Sequence, residues 1–155
     1  MITGLAHVNL LVPADTLHHA EEFYGTTLGL TPRPVPQLQK GSLAWYGYTN
    51  REQNIRFATT NRFDIGSSGQ QVHIALDKTH SNSNKSSRHP CFKIESPDAL
   101  LRLRQRIWEH HVKGGESAPQ EADRPGEINS GSQGAEYPSR FFARDYAGNR
   151  LEFSL

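Results

Sequence analysis

Two stretches of this chain alternate apolar and polar side chains most plainly. Val72-His73-Ile74-Ala75-Leu76 and Leu151-Glu152-Phe153-Ser154-Leu155 place apolar groups at every second position, the period of a half-buried strand. Each follows a glycine and an amide, Gly69-Gln70 and Gly148-Asn149, which predicts a tight turn feeding the strand. Written out, Phe63–Leu76 lies over Phe142–Leu155 without a gap, with Phe, Gly, an amide, a β-former and a final Leu recurring. His73 and Glu152 share one position of this repeat. An internal repeat constrains the fold before any single element does.

The rest of the chain can be read in the same terms. Leu5–Val12 reads as a strand in which His7, Asn9 and Leu11 share a face, and Pro13 ends it. Asp15 or Thr16 can cap a helix running to about Leu28, with Leu17, Ala20, Tyr24 and Leu28 as its apolar stripe and Gly29 as its stop. Leu30–Val35, carrying Pro32 and Pro34, reads as an edge strand. Ser42–Tyr48 reads as the strand after it. Tyr46–Arg62, polar except for Ile55 and Phe57, reads as an insertion that projects as a hairpin or loop. The Ser/Asn/Lys-rich run 77–88 reads as a flexible linker.

The second half repeats the order. His89–Ile94 is a short strand, with Pro90 pointing to an edge or a bulge. Ser96-Pro97-Asp98 opens a helix that runs to about Val112 and is expected to bury Leu100, Leu103, Ile107 and Trp108. Residues 113–136 are mostly loop, with room for one short strand. Arg140–Arg144 and Arg150–Leu155 are two strands joined at Gly148-Asn149. The opening strands match as well, His7–Val12 over His89–Ile94. A His therefore starts the first strand of each half, and a His or a Glu sits in the last.

Composition narrows the chemistry. The net charge is +1 over 155 residues, with 35% hydrophobic and 21% charged side chains, as in an ordinary globular domain. Arg102, Arg104 and Arg106 read as a solvated helix face, not a nucleic-acid stripe. Cys91 is the only cysteine, which excludes an internal disulfide and suits a reducing, cytoplasmic setting. It reads as a small core residue. No apolar run reaches the length of a membrane span, and the N-terminus has no basic start before an apolar stretch, so neither a membrane segment nor a signal peptide is expected. There is no P-loop, dinucleotide fingerprint or nucleophile elbow. His18, His19, His80, His110 and His111 have no repeat partner and read as structural. The repeat-related set His7, His73, His89 and Glu152 offers three imidazoles and one carboxylate, donors that suit a divalent zinc, iron, manganese or nickel ion.

The stretches His7-Val-Asn-Leu-Leu-Val12, Phe23-Tyr24…Leu28-Gly29-Leu30, Gln70-Gln71-Val72-His73-Ile74, His89…Phe92-Lys93-Ile94 and Asp145-Tyr-Ala-Gly148-Asn149-Arg-Leu-Glu152 resemble the vicinal oxygen chelate superfamily. That group includes glyoxalase I, extradiol dioxygenases and the fosfomycin- and bleomycin-resistance proteins. The last stretch is the most specific, because the superfamily typically closes on Asp-x-x-Gly-Asn-x-x-Glu. The resemblance spans nearly the whole chain. It implies an α+β fold of two βαβββ modules, about 1–77 and 89–155, joined by a linker at 78–88. Their curled sheet would form a cup with helices on its outer face.

The resemblance also implies metal ligands on the first and fourth strands of each module: His7, His73, His89 and Glu152. Glu152 is the one ligand able to change role to general base. His73 stands where glyoxalase I carries Glu. The implied function is a small metal-dependent enzyme that chelates neighbouring oxygens of a small-molecule substrate, as a lyase, isomerase, thiol transferase or dioxygenase. The alternative is a metal-free binding protein of the bleomycin-resistance type. The resemblance leaves open whether the modules of one chain close the cup or modules exchanged in a homodimer do so.

Overall fold

The structure, a computed structural model, describes residues 4–33, 60–77, 86–131 and 139–155. The chain divides into two compact units, Met1–His80 and Ser81–Leu155. Each contains one four-stranded mixed sheet.

In the first unit the strands are β1 (His7–Val12), β2 (Thr31–Arg33), β3 (Thr60–Asp64) and β4 (Gln71–Leu76), in the order β1-β4-β3-β2. In the second they are β5 (Cys91–Lys93), β6 (Glu121–Ala122), β7 (Arg140–Arg144) and β8 (Arg150–Ser154), in the order β5-β8-β7-β6. The two orders are the same. In each, the first and fourth strands run parallel and the other neighbours antiparallel. The α+β class and the repeated strand order follow the sequence reading. Parallel pairing of first and fourth strands requires a crossover, and each unit places its helical segment between its first and second strands.

The repeat holds in register along the parallel pairs. Asn9 lies opposite His73 in β1–β4, and Cys91 lies opposite Glu152 in β5–β8. Those are the partners expected when His7 is laid on His89 and His73 on Glu152. The gapless match of Phe63 to Phe142 is corrected. Phe63 pairs with Val72, whereas Phe142 pairs with Glu152, because the turn 65–70 has six residues and the turn 145–149 has five. A slip of one residue turns a side chain to the other face. Phe63 therefore faces the core, and Phe142 shares the face of Glu152.

The core lies on the opposite face from the candidate ligands. Val12, Phe63, Val72 and Ile74 in the first unit and Phe92, Phe141, Leu151 and Phe153 in the second are buried. Val8, on the core face of β1 by alternation, is half-buried, while His7, Asn9 and Leu11 are exposed.

The helical segments differ. The stretch read as a helix from residue 16 to 28 is a 3₁₀ helix, Ala14–His19, followed by a π-helical segment, Glu21–Thr27. No side chain caps it. Thr16 Oγ1 instead donates to the Pro13 carbonyl at 2.9 Å. Gly25 and the β-branched Thr26 and Thr27 weaken regular α geometry, and the Leu28 N–H reaches back five residues to the Phe23 carbonyl. The apolar stripe survives: Leu17, Ala20, Phe23, Tyr24 and Leu28 are all buried. Gly29, at φ 78°, ends the segment.

By contrast, α1 (Pro97–Lys113) is a regular helix. The Ser96 hydroxyl accepts from the Ala99 N–H at 3.2 Å, and Pro97 opens the first turn. Leu100, Leu103 and Ile107 are buried, while Trp108 is half-buried. The expectation of a solvated arginine face is corrected for Arg104. Its position falls between Leu103 and Ile107 on the buried stripe, and it is only 5% exposed. It donates to the carbonyls of Asp123, Arg124 and Glu127 at 3.2, 2.6 and 2.7 Å, so the helix holds the loop that precedes β7. His110 reaches Ser117 Oγ at 3.2 Å and His111 reaches the Pro119 carbonyl at 2.8 Å, both structural roles.

Three further corrections concern strands. Among the described residues β2 is an edge strand, as Pro32 predicted. β3, beside β4, is Thr60–Asp64, so Thr60–Arg62, expected within the projecting segment, belong to the sheet. Residues 34–59, which include Ser42–Tyr48, Ile55 and Phe57, lie outside the described residues, as do 78–85 of the expected linker. Cys91 is exposed. It shares the face of Glu152, because Phe92 takes the inward position of this short strand. No helix among the described residues is long and apolar enough to cross a membrane.

Candidate functional site

The two turns explain much of the repeat. In the second unit, Asp145 is fully buried. Its carboxylate accepts from Ala147 N–H at 2.9 Å, from Asn149 N–H at 2.8 Å and from Asn149 Nδ2 at 2.9 Å. Gly148 supplies the left-handed residue at φ 89°. The Asp-x-x-Gly-Asn motif therefore builds the turn that aims β8, and only the final Glu of the pattern faces the candidate site. Tyr146, next to that carboxylate, has its phenol pushed up by burial and then by the charge of Asp145. In the first unit the same task falls to Ser68, which donates to the Ile65 carbonyl at 2.7 Å and accepts from Gln70 N–H at 3.1 Å.

In the second unit the structure brings His89 and Glu152 together. His89 Nε2 lies 2.9 Å from Glu152 Oε2, and Arg140 Nη1 donates to Glu152 Oε1 at 3.1 Å. The Glu152 side chain is only 13% exposed. Burial alone would raise its pKa, but the hydrogen bonds and charges of His89 and Arg140 outweigh it and hold the carboxyl below its ordinary value. His89 Nδ1 donates to the Ser87 carbonyl at 2.6 Å. Its Nε2 then faces a carboxylate oxygen. Each ring nitrogen therefore stands within bonding distance of an oxygen. A histidine oriented by an Nδ1–H to carbonyl bond, with Nε2 beside a carboxylate, is a usual arrangement for a metal ligand.

In the first unit His7 and His73 also come together, but differently. Their rings stack with centroids 4.2 Å apart and planes 9° apart. Imidazole lone pairs lie in the ring planes, so two stacked parallel rings do not aim at one point. Chelation by both requires one ring to turn, and His7 stands exposed at the start of its strand. His73 is positioned from the other side. Asp64 accepts from Gln71 Nε2 at 2.9 Å, so the Gln71 Oε1 faces His73 Nε2 at 3.1 Å and accepts its N–H. Arg33 pairs with Asp64 at the far end of this chain of bonds. The Asp64 carboxyl is held below its ordinary value, first by the Arg33 hydrogen bond and then by that of Gln71. Burial, then the charge of Arg62 opposite and then His7, lower the His73 pKa to about 4. At neutral pH its ring is uncharged, the state a metal ligand needs.

By type, the donors within each unit suit a divalent ion: a neutral imidazole with a second stacked on it in the first, an imidazole–carboxylate pair in the second. Sequence reading missed the residues around them. Gln71 and Arg150 each sit two residues before a candidate ligand and so on its face. Arg62 and Phe142 lie directly opposite His73 and Glu152. The His89 ring meets the Phe142 ring edge-on at 5.7 Å. Strand alternation could have found Gln71 and Arg150; Arg62 and Phe142 needed the register.

No protein-family model matches the chain, and no curated protein matches it in sequence. Solved structures do. A candidate glyoxalase family protein from Bacillus anthracis matches at 22% identity, covering 99% of this chain and 94% of its own, with a TM-score of 0.61. A glyoxalase/dioxygenase from Nostoc punctiforme matches at 19% identity, covering 97% and 89%, with a TM-score of 0.59. A fosfomycin resistance protein from Listeria monocytogenes matches at 18% identity, covering 99% and 91%, with a TM-score of 0.54. The chain thus has the fold of the vicinal oxygen chelate proteins, as its motifs implied. Identities this low establish the fold alone.

Proposed function

We propose that this protein is a metal-dependent enzyme of the glyoxalase/dioxygenase type, acting on a small molecule through two neighbouring oxygens. His7, His73, His89 and Glu152 would hold a divalent zinc, iron, manganese or nickel ion, two ligands coming from each unit. The observation that carries the reading is the His89–Glu152 pair: Nε2 and Oε2 at 2.9 Å, with Nδ1 fixed by a backbone carbonyl. When bound, such an ion supplies a Lewis acid that stabilises negative charge developing on the chelated oxygens. The residues of the chain hold the donors in place. Gln71 fixes the tautomer of His73. Ser87 orients His89, and His89 with Arg140 holds the Glu152 carboxyl below its ordinary value against the effect of burial. Glu152 would also be the carboxylate able to accept a substrate proton. The single cysteine is consistent with a cytoplasmic setting.

One observation favours the second reading, a metal-free binding protein. Both Glu152 oxygens already have partners, His89 and Arg140, and the His7–His73 stack is complete without an ion. Metal content separates the two. After incubation with each divalent ion and desalting, the enzyme reading expects about one equivalent per chain, lost on Glu152→Gln while the circular dichroism spectrum is kept. Retention of no metal by the unaltered protein supports the binding-protein reading.

A further inference from the structure

The helix α1 carries more apolar surface than its own sheet covers. Leu100, Leu103 and Ile107 are buried, whereas Leu101 and Val112 are 58% and 66% exposed. With Gln105 and the half-buried Trp108, these two recur at spacings of four, three and four residues. At about 100° per residue that keeps all four within roughly 60° of one line along the helix. A single exposed Leu is ordinary, but an apolar stripe about three turns long marks an interaction surface.

The loop latched by Arg104 adjoins one flank of this stripe. Arg124 lies over the Trp108 ring, 5.9 Å from its centroid, and Ile128, next to the Glu127 carbonyl that Arg104 holds, is 69% exposed.

Charges line the other flank. Asp98, Arg102, Glu109 and Lys113 are exposed and lie between about 60° and 120° around the helix from Leu101. Acid and base alternate along the flank, so it carries no net charge. Each acid stands four residues before a base, the spacing of an ion pair within one helix. Among the described residues, however, no ion pair joins Asp98 to Arg102 or Glu109 to Lys113.

We infer that this face of α1 binds a second copy of the chain, as an antiparallel helix pair about a two-fold axis beside Arg106 and Ile107. In that arrangement Leu101 meets Val112 of the second copy, Trp108 meets its Gln105, and like flanks lie side by side. Arg102 then stands level with Glu109 of the second copy and Asp98 with its Lys113. All four pairings fall within one residue of a common centre, and the two-fold axis makes each of them twice. A parallel copy would set each residue level with its own equivalent, acid beside acid. Gln105 enters the contact already bonded, its Nε2 donating to Glu109 at 2.8 Å. One helix pair buries less than a standard interface of about 1,600 Å², so the dimer is a weak one, of micromolar affinity or weaker. It uses no residue of the candidate metal site and is independent of the proposed function.

The test is sedimentation equilibrium of the full-length protein over concentrations reaching millimolar. The weight-average mass is expected to rise with concentration from that of one chain towards that of two. Leu101→Lys should weaken the association about tenfold or more. Arg102→Glu and Glu109→Arg each set like charges across the contact and should weaken it about threefold or more. All three positions are exposed, so each variant should keep the circular dichroism spectrum of the unaltered protein. Mixed in equal amounts, the two charge variants form a heterodimer in which both flank pairings are again opposite in sign. The mixture should therefore associate more tightly than either variant alone. A protein monomeric throughout, a dimer unchanged in Leu101→Lys, or a mixture no tighter than its components overturns the inference.

Discussion

The two units share a strand order and a register, yet they build opposite environments around equivalent positions. In the first unit a carboxylate–amide–imidazole chain ends in two stacked rings, with His73 kept neutral. In the second an imidazole and an arginine converge on a carboxylate kept ionised. The difference teaches that the sheet fixes where these side chains stand, while their neighbours fix the charge they carry. The same contrast runs through the scaffold. A buried aspartate builds one turn and an exposed serine the other. One crossover is a capped α-helix and the other an uncapped 3₁₀–π segment.

The largest expected effect is at the turns. Asp145→Ala leaves two N–H groups and the Asn149 amide without their acceptor beside a fully buried site. It should cost about 3 kcal/mol or more by denaturant unfolding. Ser68→Ala, at the equivalent exposed turn, should cost about 0.5–1 kcal/mol. Equal losses would mean that the turns are not the contrasting devices described.

Within α1, Arg104→Ala should cost about 2–4 kcal/mol, because three carbonyls lose a buried cationic donor. Arg102→Ala, on the exposed face, should change stability by about 0.5 kcal/mol or less. Faster amide exchange confined to 123–130 in the Arg104 variant would show that the latch, and not the helix, has been lost.

A smaller effect comes from His73. Its pKa is about 4 folded against 6.5 for an ordinary histidine, so the unfolded chain takes up this proton first. Above about pH 6.5 the group contributes no pH dependence. As the pH falls from there towards 4 it lowers stability, and below 4 the change levels off. A ring titration by NMR should give a midpoint near 4, moved upward by Arg62→Gln but not to 6.5, because burial is the larger cause. A midpoint unmoved by Arg62→Gln would remove Arg62 from the account.

Much of this was legible in the sequence because it depends on period. Strand alternation put His73 and Glu152 on the faces opposite the buried Val72, Ile74, Leu151 and Phe153, and the match of the opening and closing strands of the two halves holds in register. Ser96-Pro97 gave the helix start. What was missed depends on counting around a helix or across a turn. Arg104 was grouped with its charged neighbours, although its position between Leu103 and Ile107 puts it on the buried stripe. Phe142 aligns with Phe63 because a one-residue difference in turn length leaves no mark in a gapless alignment. Cys91 reads as core in the sequence because β5 is too short to show which of its faces is inward.

The central claim is that the two contrasting pairs serve one ion, and a metal titration followed at the histidine rings tests it most directly. With zinc added in steps, the ring signals of His7, His73 and His89 should shift together and saturate together at one equivalent per chain. The His7 and His73 signals should also lose the mutual ring-current shift of their stack. Saturation of His89 alone, or of the two pairs at different equivalents, would contradict the account.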